Sequence, residues 1–183
     1  MTPTAGRVFN GRATWFLTEE AFTVAAALIA EQERPRQPDV VIGLARGGVP
    51  LARRVAELLQ VPVAEVNARH NSTDDLAVPA SGQVILDEPA LLEAVAGTRR
   101  VLVTDDICGS GATLHAVRDL LLWHTEAELR TAALCRNASA AFPVDTWVYG
   151  VGDWVVFPWE TAPPPDHALL PVPARLFTTP EVP

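Results

Sequence analysis

Lysine is missing from this 183-residue chain: all 14 basic side chains are arginine, and 22 acidic residues leave a formal net charge of −8. A general nucleic-acid-binding protein needs a basic surface to neutralise phosphates, so we expect no nucleic-acid partner. An anionic ligand would need local help from backbone amides or a metal ion. The absence of lysine also excludes the Gly-x-x-x-x-Gly-Lys loop of nucleotide-binding proteins.

Cysteines and long apolar runs are also scarce. Cys108 and Cys135 have neither the spacing of metal ligands nor the density of a disulfide framework, so we expect free thiols. No apolar run approaches the length of a membrane span, and the first residues lack a secretory signal. We therefore expect a cytoplasmic protein without membrane contact. The length is sufficient for the core of one domain, which we expect over residues 1–183.

Short apolar runs alternate with helical patterns along the chain. The first helix is predicted to begin after Thr18 and to stop at Pro35. This alternation predicts β-α-β units and a mostly parallel sheet, that is, an α/β fold. Residues 161–183 are too rich in proline for a helix or a central strand, and we expect them to wrap the surface or form a tail. Strands are predicted at 39–44, 61–66, 100–104, 131–135, 146–151 and 153–157, and further helices at 49–60, at 91–97 and from about 113.

The segment VLVTDDICGSGATL (101–114) runs from apolar residues into two carboxylates, then small and hydroxyl-bearing residues, then a helical pattern. Ligands of parallel sheets bind at this place, beyond the carboxyl end of a strand. The amides of GSGAT can cradle a phosphate, with Ser110 and Thr113 as further donors. Asp105 and Asp106 would repel a phosphate and suit sugar hydroxyls or a hydrated magnesium ion. The segment therefore predicts a phosphorylated sugar diol, with or without magnesium. The alternative is that these residues only cap a helix, but a cap needs one polar residue and this segment has several.

This order of residues resembles the phosphoribosyl pyrophosphate signature of the type I phosphoribosyltransferases: four apolar residues, two acids, two apolar residues, then x-Ser/Thr-Gly-x-Thr. The resemblance implies that Asp105 and Asp106 hold the ribose 2- and 3-hydroxyls and Mg²⁺, directly or through water. It also implies the family's fold, a mostly parallel central sheet flanked by helices, with a small hood and a mobile loop. The residues that would hold the 5-phosphate are Gly109, Ser110, Gly111, Ala112 and Thr113.

A second segment, GLARGGVPLA (43–52), resembles the family's pyrophosphate loop. Arg46 supplies a fixed positive charge, and Gly47 and Gly48 let backbone amides face the pyrophosphate. The resemblance also implies a non-proline cis peptide near Arg46–Gly47. A simple strand-to-helix turn is the alternative interpretation, and the first segment argues against it.

The weak periodicity from residue 67 to about 85 predicts a long loop of the kind that closes over ligands, with GQVIL as one arm of a hairpin. Arg69 and His70 are the basic side chains of this loop. On closure they could reach the pyrophosphate, which would give Arg69 a catalytic role. The alternative is that both are solvated loop residues.

A third segment, DWVVFPWE (153–160), resembles the base-binding end of the xanthine-guanine branch of the family. In that branch an aromatic ring stacks on the purine and the backbone of the next residue reads the edge of the base. The resemblance gives these roles to Trp154 and Val155, with Glu160 facing the base or metal region. Phe157 and Trp159 are expected in the core. An interface role is the alternative for an exposed aromatic residue here.

Two positions depart from the pattern of the 6-oxopurine enzymes. Gly109 stands where those enzymes usually have the acid that faces N7 of the purine, and Arg136 stands nearest to their lysine, which reads the 6-oxo group. Three explanations stay open: the same activity with its base chemistry lost or moved to the loop, a 7-deazapurine substrate, or adenine. A purine-like base is favoured over a pyrimidine by the Trp154 segment.

The activity that the resemblance implies is transfer of the 5-phosphoribosyl group to a purine-like base, with Mg²⁺ as cofactor and release of pyrophosphate. A homodimer is the family expectation. Two alternatives stay open: a regulator that senses phosphoribosyl pyrophosphate and binds nucleic acid, and an accessory subunit without catalysis. The acidic charge disfavours the regulator, whereas Gly109 supports the accessory subunit.

Overall fold

The computed structural model describes Gly11 and residues 13–69, 84–160 and 162–179. This described part contains ten strands and four α-helices. The strands are β1 (Thr14–Phe16), β2 (Val40–Ala45), β3 (Val63–Arg69), β4 (Ile85–Leu86), β5 (Arg100–Cys108), β6 (Glu128–Asn137), β7 (Thr146–Val151), β8 (Trp154–Val156), β9 (Ala168–Leu169) and β10 (Phe177–Thr178). The helices are α1 (Glu19–Glu33), α2 (Gly48–Leu59), α3 (Glu88–Val95) and α4 (Ala112–His124), with a short 3-10 helix at Arg34–Arg36.

Seven strands form the central sheet in the order β10-β7-β6-β5-β2-β3-β4. The five inner strands are parallel, while β10 and β4 pair antiparallel at the two edges. The predicted α/β fold with a mostly parallel sheet is confirmed. Because β5 lies in the middle of the order, the carboxyl end of this strand is flanked by the ends of β2 and β6.

A second sheet of three short parallel strands, β8-β1-β9, forms the hood that the resemblance implied. Trp15 of β1 pairs with Val155 on one side and with Ala168 on the other. The hood therefore joins the beginning of the described chain to the segment predicted to bind the base. The predicted mobile loop falls mainly on residues 70–83, which lie outside the described residues.

Two apolar cores lie on opposite faces of the central sheet. Leu102 of β5 packs into one core together with α1 and α2. Its neighbours Val101 and Val103 pack into the other core with α3 and α4. Successive side chains of a strand point to opposite faces, so an unbroken apolar run is typical of a strand covered on both sides. Since helices cover both faces, ligands reach this sheet at the ends of its strands.

The helix boundaries follow their sequence signals closely. The Thr18 hydroxyl accepts a hydrogen bond from the Ala21 N–H at 3.1 Å and caps α1, as predicted. Gly97 has a positive φ of 74° just after α3, where the sequence predicted the end of a helix. β5 is longer than predicted and continues past Thr104 to Cys108, because β6 pairs with it as far as Arg136. The two carboxylates thus lie within the strand and not after it.

Of the two arrangements predicted for the proline-rich end, its described part, residues 162–179, wraps the surface. β9 completes the hood beside β1, and β10 adds an edge to the central sheet beside β7. The Tyr149 hydroxyl donates to the Pro171 carbonyl at 2.8 Å and ties this segment to the sheet. Burial raises the pKa of Tyr149, which keeps the hydroxyl protonated as a donor. None of the helices in the described part of the chain is long and apolar enough to cross a membrane.

A charged residue is buried near the end of α1. Glu33 is 1% exposed. Its carboxylate accepts hydrogen bonds from Arg130 at 2.7 and 3.1 Å and from the Thr146 hydroxyl at 2.7 Å. Arg130 also lies 3.7 Å from the carboxylate of Asp145. These partners offset the desolvation of the buried charge. Arg130 lies near the amino end of β6, so the network supports the fold at the end opposite to the predicted site.

Candidate active site

Asp105 and Asp106 lie side by side on the last part of β5. The Asp106 N–H donates to the Asp105 carboxylate at 3.0 Å, and the Ile107 N–H donates to the Asp106 carboxylate at 2.7 Å. Burial, together with the neighbouring Asp106 charge, raises the pKa of Asp105 well above its ordinary value. A cation or hydroxyl donors placed at this pair would stabilise the charged form. This is the electrostatic character expected of a site for sugar hydroxyls or a hydrated metal ion.

The loop after β2 packs directly against this acid pair. A Cβ at position 47 would overlap the Asp106 carboxylate, and one at position 48 would lie 2.5 Å from the Thr104 carbonyl oxygen. At position 48 the clash is with backbone and only glycine fits, whereas a side chain at position 47 would have to displace the Asp106 carboxylate. The Thr104 hydroxyl lies 3.3 Å from the carbonyl oxygens of both Ile42 and Gly48. The structure therefore brings the predicted pyrophosphate loop and the predicted ribose site together.

Arg46 is exposed at the start of this loop. The peptide bond between Ala45 and Arg46 is cis, one bond before the position that the resemblance implied. Gly48 begins α2, as the sequence predicted for a strand that turns into a helix.

Residues 109–113 comprise the turn between β5 and α4 together with the first two residues of α4. Gly111 has a φ of 90° and stands at the N-cap position of α4. The Ser110 side-chain oxygen accepts from the Ala112 N–H at 3.3 Å. No acidic residue lies in the first turn of α4 and no side chain of Gly111 caps it, so the positive end of the helix is not neutralised from within. This arrangement is suited to the phosphate that the sequence predicts here.

Both cysteines are buried and free, which confirms the expected thiols. Cys108 is the last residue of β5. Burial, with a further contribution from the charge of Asp105, raises its pKa to about 12. The thiol therefore stays protonated at neutral pH and is poorly suited to act as a nucleophile.

The segment predicted to bind the base forms β8 of the hood and the turn after it. Trp154 is half-buried, whereas the Val155 side chain is buried in the core, so only its backbone is suited to read a base. The Glu160 carboxylate accepts from the Phe157 N–H at 2.9 Å and closes the local turn. Phe157 stacks on Trp159 with centroids 5.1 Å apart, and both pack in or against the core, as expected.

Arg136 lies on β6 beside Cys108 of β5. Its guanidinium donates to the Ala140 carbonyl at 3.0 Å and lies 5.2 Å from the ring centroid of Trp147. These contacts involve the turn after β6 and the core under α4.

Sequence reasoning missed Phe142, which is 2% exposed and lies against Gly111. Gly111 precedes α4, whereas Phe142 lies in the turn after β6. Residues so far apart in the chain give no sequence signal of a contact.

The predicted loop carries two basic residues, of which Arg69 was predicted to be catalytic. The side chain of Arg69 and the whole of His70 lie outside the described residues. Within the described ranges, no group of three or more His, Cys, Asp or Glu residues is arranged to hold a metal ion by itself. The two adjacent carboxylates nevertheless fit Mg²⁺, which typically binds one or two carboxylates and takes its other ligands from water and substrate phosphates.

A curated relative, the bifunctional protein PyrR of Herpetosiphon aurantiacus, is 31% identical to this chain over 115 residues. The match covers 57% of this chain, and the chain spans only about 60% of the length of that relative.

Solved structures share the fold. A purine phosphoribosyltransferase from Pyrococcus horikoshii Ot3 superposes with a TM-score of 0.65 and 24% identity, covering 82% of this chain and 96% of the other. The Helicobacter pylori xanthine-guanine-hypoxanthine phosphoribosyltransferase superposes with a TM-score of 0.59 and 19% identity, covering 80% and 90%. At these identities the likeness concerns the fold alone. Residues 17–166 match the model of the phosphoribosyl transferase domain, and by this match over most of its length the chain belongs to the phosphoribosyltransferase family.

Proposed function

We propose that this protein transfers the 5-phosphoribosyl group of phosphoribosyl pyrophosphate to a nitrogen of a purine-like base, forming a nucleoside monophosphate and pyrophosphate. The observation that carries the proposal is the contact between two distant segments. The Asp106 carboxylate lies against Gly47, so the predicted ribose and pyrophosphate sites adjoin at the carboxyl end of the sheet. The family membership supports the same reaction class.

The substrate would lie across the three turns of the site. Arg46 and the amides of Gly47 and Gly48 would bind the pyrophosphate. Asp105 and Asp106 would accept hydrogen bonds from the ribose 2- and 3-hydroxyls. The turn at residues 109–113 would hold the 5-phosphate at the positive end of α4.

In the reaction, the bond from ribose C1 to the pyrophosphate oxygen breaks as the bond to the base nitrogen forms. Nearby carboxylates stabilise the positive charge that develops near C1. Asp105 and Asp106 would therefore stabilise the transition state in addition to binding the ribose hydroxyls. Mg²⁺, when bound, would neutralise charge on the pyrophosphate leaving group. Arg69 and His70 are proposed to close over the pyrophosphate and exclude water, which is the competing nucleophile.

The base would stack on Trp154 and contact the backbone of Val155. Glu160 is proposed to shape this end of the pocket through the turn that it closes with Phe157. Gly109 leaves no carboxylate beside the base at its position. The accepted base is therefore open among guanine, xanthine, hypoxanthine, adenine and 7-deazapurines.

A second candidate is a sensor of phosphoribosyl pyrophosphate or an accessory subunit, with binding but no turnover. Two observations favour it: Gly109 replaces the acid usual in 6-oxopurine enzymes, and the curated relative is named a bifunctional protein. A homodimer, a cytoplasmic location and a single domain over residues 1–183 stay predictions for either function.

The test measures pyrophosphate release and product mass with phosphoribosyl pyrophosphate, Mg²⁺ and each of the five base types. Turnover with one base is expected, and the double variant Asp105→Asn with Asp106→Asn should abolish it while circular dichroism shows a folded protein. Asp119→Asn, at an exposed position on α4, is the matched control and should retain full activity. Binding of phosphoribosyl pyrophosphate without turnover of any base would favour the second candidate. An unchanged rate in the double variant would refute the proposed site.

A further inference from the structure

The turn between β6 and β7 touches two parts of the site. We define residues 138–142 as the bridging segment. The Ala138 N–H donates to the Val151 carbonyl at 3.1 Å, at the end of the strand that leads into Trp154. The Ala141 N–H donates to the Ser110 carbonyl at 3.2 Å, in the turn proposed to hold the 5-phosphate. The bridging segment therefore links the base side and the phosphate side of the site through backbone hydrogen bonds.

Phe142 anchors the bridging segment to the start of α4. Its side chain is 2% exposed and lies where a Cβ at Gly111 would have to be placed. The His115 ring meets it edge-on with centroids 5.0 Å apart, and the Arg118 guanidinium lies 5.1 Å from its ring centroid. A change in the position of Phe142 would therefore change the packing under Gly111.

Arg136 holds the middle of the bridging segment. Its guanidinium donates to the Ala140 carbonyl and lies over Trp147, and its Nε is buried with no hydrogen-bond partner in the described part of the chain. Trp147 packs against the core on the face covered by α4. The Arg136 guanidinium is therefore directed toward the bridging segment and Trp147.

We propose that Arg136 is a positioning residue: it fixes the bridging segment, which in turn sets the place of Ser110 and Gly111 for the 5-phosphate. This role differs from the base contact that the sequence suggests for Arg136, which stays a prediction. It rests on the proposed function, since it assumes that phosphoribosyl pyrophosphate binds at the turn of residues 109–113. Phosphate binding by backbone amides depends on the position of the turn that carries them. Loss of the Arg136 contacts should therefore weaken phosphate binding more than base binding.

The experiment measures equilibrium binding of phosphoribosyl pyrophosphate with Mg²⁺ by isothermal titration calorimetry, separately from turnover. Arg136→Met keeps much of the side-chain volume and removes the donors, and Phe142→Leu removes the ring contact. Each variant is expected to raise the dissociation constant of phosphoribosyl pyrophosphate about tenfold, the scale of a lost buried contact. Arg99→Met, an exposed arginine before the amino end of β5, is the matched control and should bind as the unaltered protein does.

A lysine at position 136 separates positioning from base recognition. Arg136→Lys can still donate to the Ala140 carbonyl but lacks the planar group that lies over Trp147. If Arg136 positions the bridging segment, this variant should recover part of the affinity for phosphoribosyl pyrophosphate and leave the preference among bases unchanged. If Arg136 reads the base, lysine should instead shift the preference toward 6-oxopurines, and the proposal would be wrong.

The remaining outcomes are also decisive. A raised KM for the base in Arg136→Met, with unchanged binding of phosphoribosyl pyrophosphate, would overturn the proposal, as would unchanged binding in both Arg136→Met and Phe142→Leu. Thermal melts identify any variant that fails to fold. If Arg136→Met does not fold, the binding of phosphoribosyl pyrophosphate by Arg136→Lys and Phe142→Leu tests the proposal. If the unaltered protein binds phosphoribosyl pyrophosphate without turnover, the transfer function fails while the binding comparison still tests Arg136. If it does not bind at all, both proposals are refuted.

Discussion

Gly111 offers a sharp test of the packing at the phosphate turn, through the substitution Gly111→Ala. An L-residue at its φ of 90° costs about 1–2 kcal/mol in the left-handed region. The new Cβ would also overlap the Phe142 Cβ and lie 3.0 Å from the Phe142 nitrogen, and overpacking of this kind costs about 1–3 kcal/mol. The sum is a loss of about 2–5 kcal/mol in the free energy of unfolding, or about 4–20 °C in Tm for a chain of this size.

Two other glycines provide matched controls. Gly97 also has a positive φ, 74°, but a Cβ there meets nothing within 4 Å, so Gly97→Ala should lose only about 1–2 kcal/mol. Gly150 has open space and no positive φ, so Gly150→Ala should change stability by no more than about 0.5 kcal/mol. The difference between Gly111→Ala and Gly97→Ala therefore isolates the contact with Phe142.

The assay is urea unfolding followed by circular dichroism, together with titration of phosphoribosyl pyrophosphate for each variant. Only Gly111→Ala should lose affinity for phosphoribosyl pyrophosphate, because only this glycine lies in the turn proposed to hold the 5-phosphate. Equal stability losses in Gly111→Ala and Gly97→Ala would refute the packing argument. Unchanged affinity in a folded Gly111→Ala protein would refute the role of this turn in phosphate binding.

Three further predictions concern the acid pair, the base side and the buried network. The pKa of Asp105 is raised in the folded protein, so the folded state binds the carboxyl proton more tightly than the unfolded state does. Ionisation of Asp105 therefore lowers the free energy of unfolding as pH rises. Asp105→Asn should therefore be more stable than the unaltered protein at pH 7, with the difference narrowing toward the ordinary carboxyl value of 3.8; urea unfolding across this range checks it, and a difference independent of pH would contradict it. Trp154→Ala should raise the KM for the base about tenfold with little change in binding of phosphoribosyl pyrophosphate, and equal losses for both substrates would misplace the base pocket. Glu33→Ala leaves the Arg130 guanidinium without its main partner and should cost about 3–5 kcal/mol by urea unfolding, whereas a loss below about 1 kcal/mol would show that the pair is not a major support.

The helices, the inner strands of the central sheet and β8 were predictable because their signals are local, whereas β1, β9 and β10 were not predicted. Thr18 caps the first helix through a residue three positions away, and an apolar run predicts a strand buried on both faces wherever it occurs. The end of β5 was predicted too early, at Thr104. Acidic residues and a following Gly-Ser-Gly signal a turn locally, but pairing with β6 keeps residues 105–108 in the strand.

The candidate site was predictable where one short segment carries several groups. Residues 105–113 contain the two carboxylates and the glycine- and hydroxyl-bearing residues from which the ribose and phosphate contacts are predicted. The direction in which the Arg136 side chain points was not predictable, because the conformation of the turn after β6 places Ala140 and Trp147 next to it. The turn that the Glu160 carboxylate closes with Phe157 was likewise not predictable, and the role of Glu160 toward the base or metal region stays a prediction.

The sequence by itself carries the prediction of the kind of ligand, because the charge, hydroxyl and glycine content of residues 101–114 is a property of the chain and needs no folding to be recognised. It also determined the layered α/β arrangement through the alternation of apolar runs and helical patterns. The tertiary structure alone decided that Gly47 lies against Asp106 and that Glu33 finds Arg130, 97 residues away. Contacts between residues so far apart depend on the packing of whole strands and helices, and no local pattern of residues encodes them.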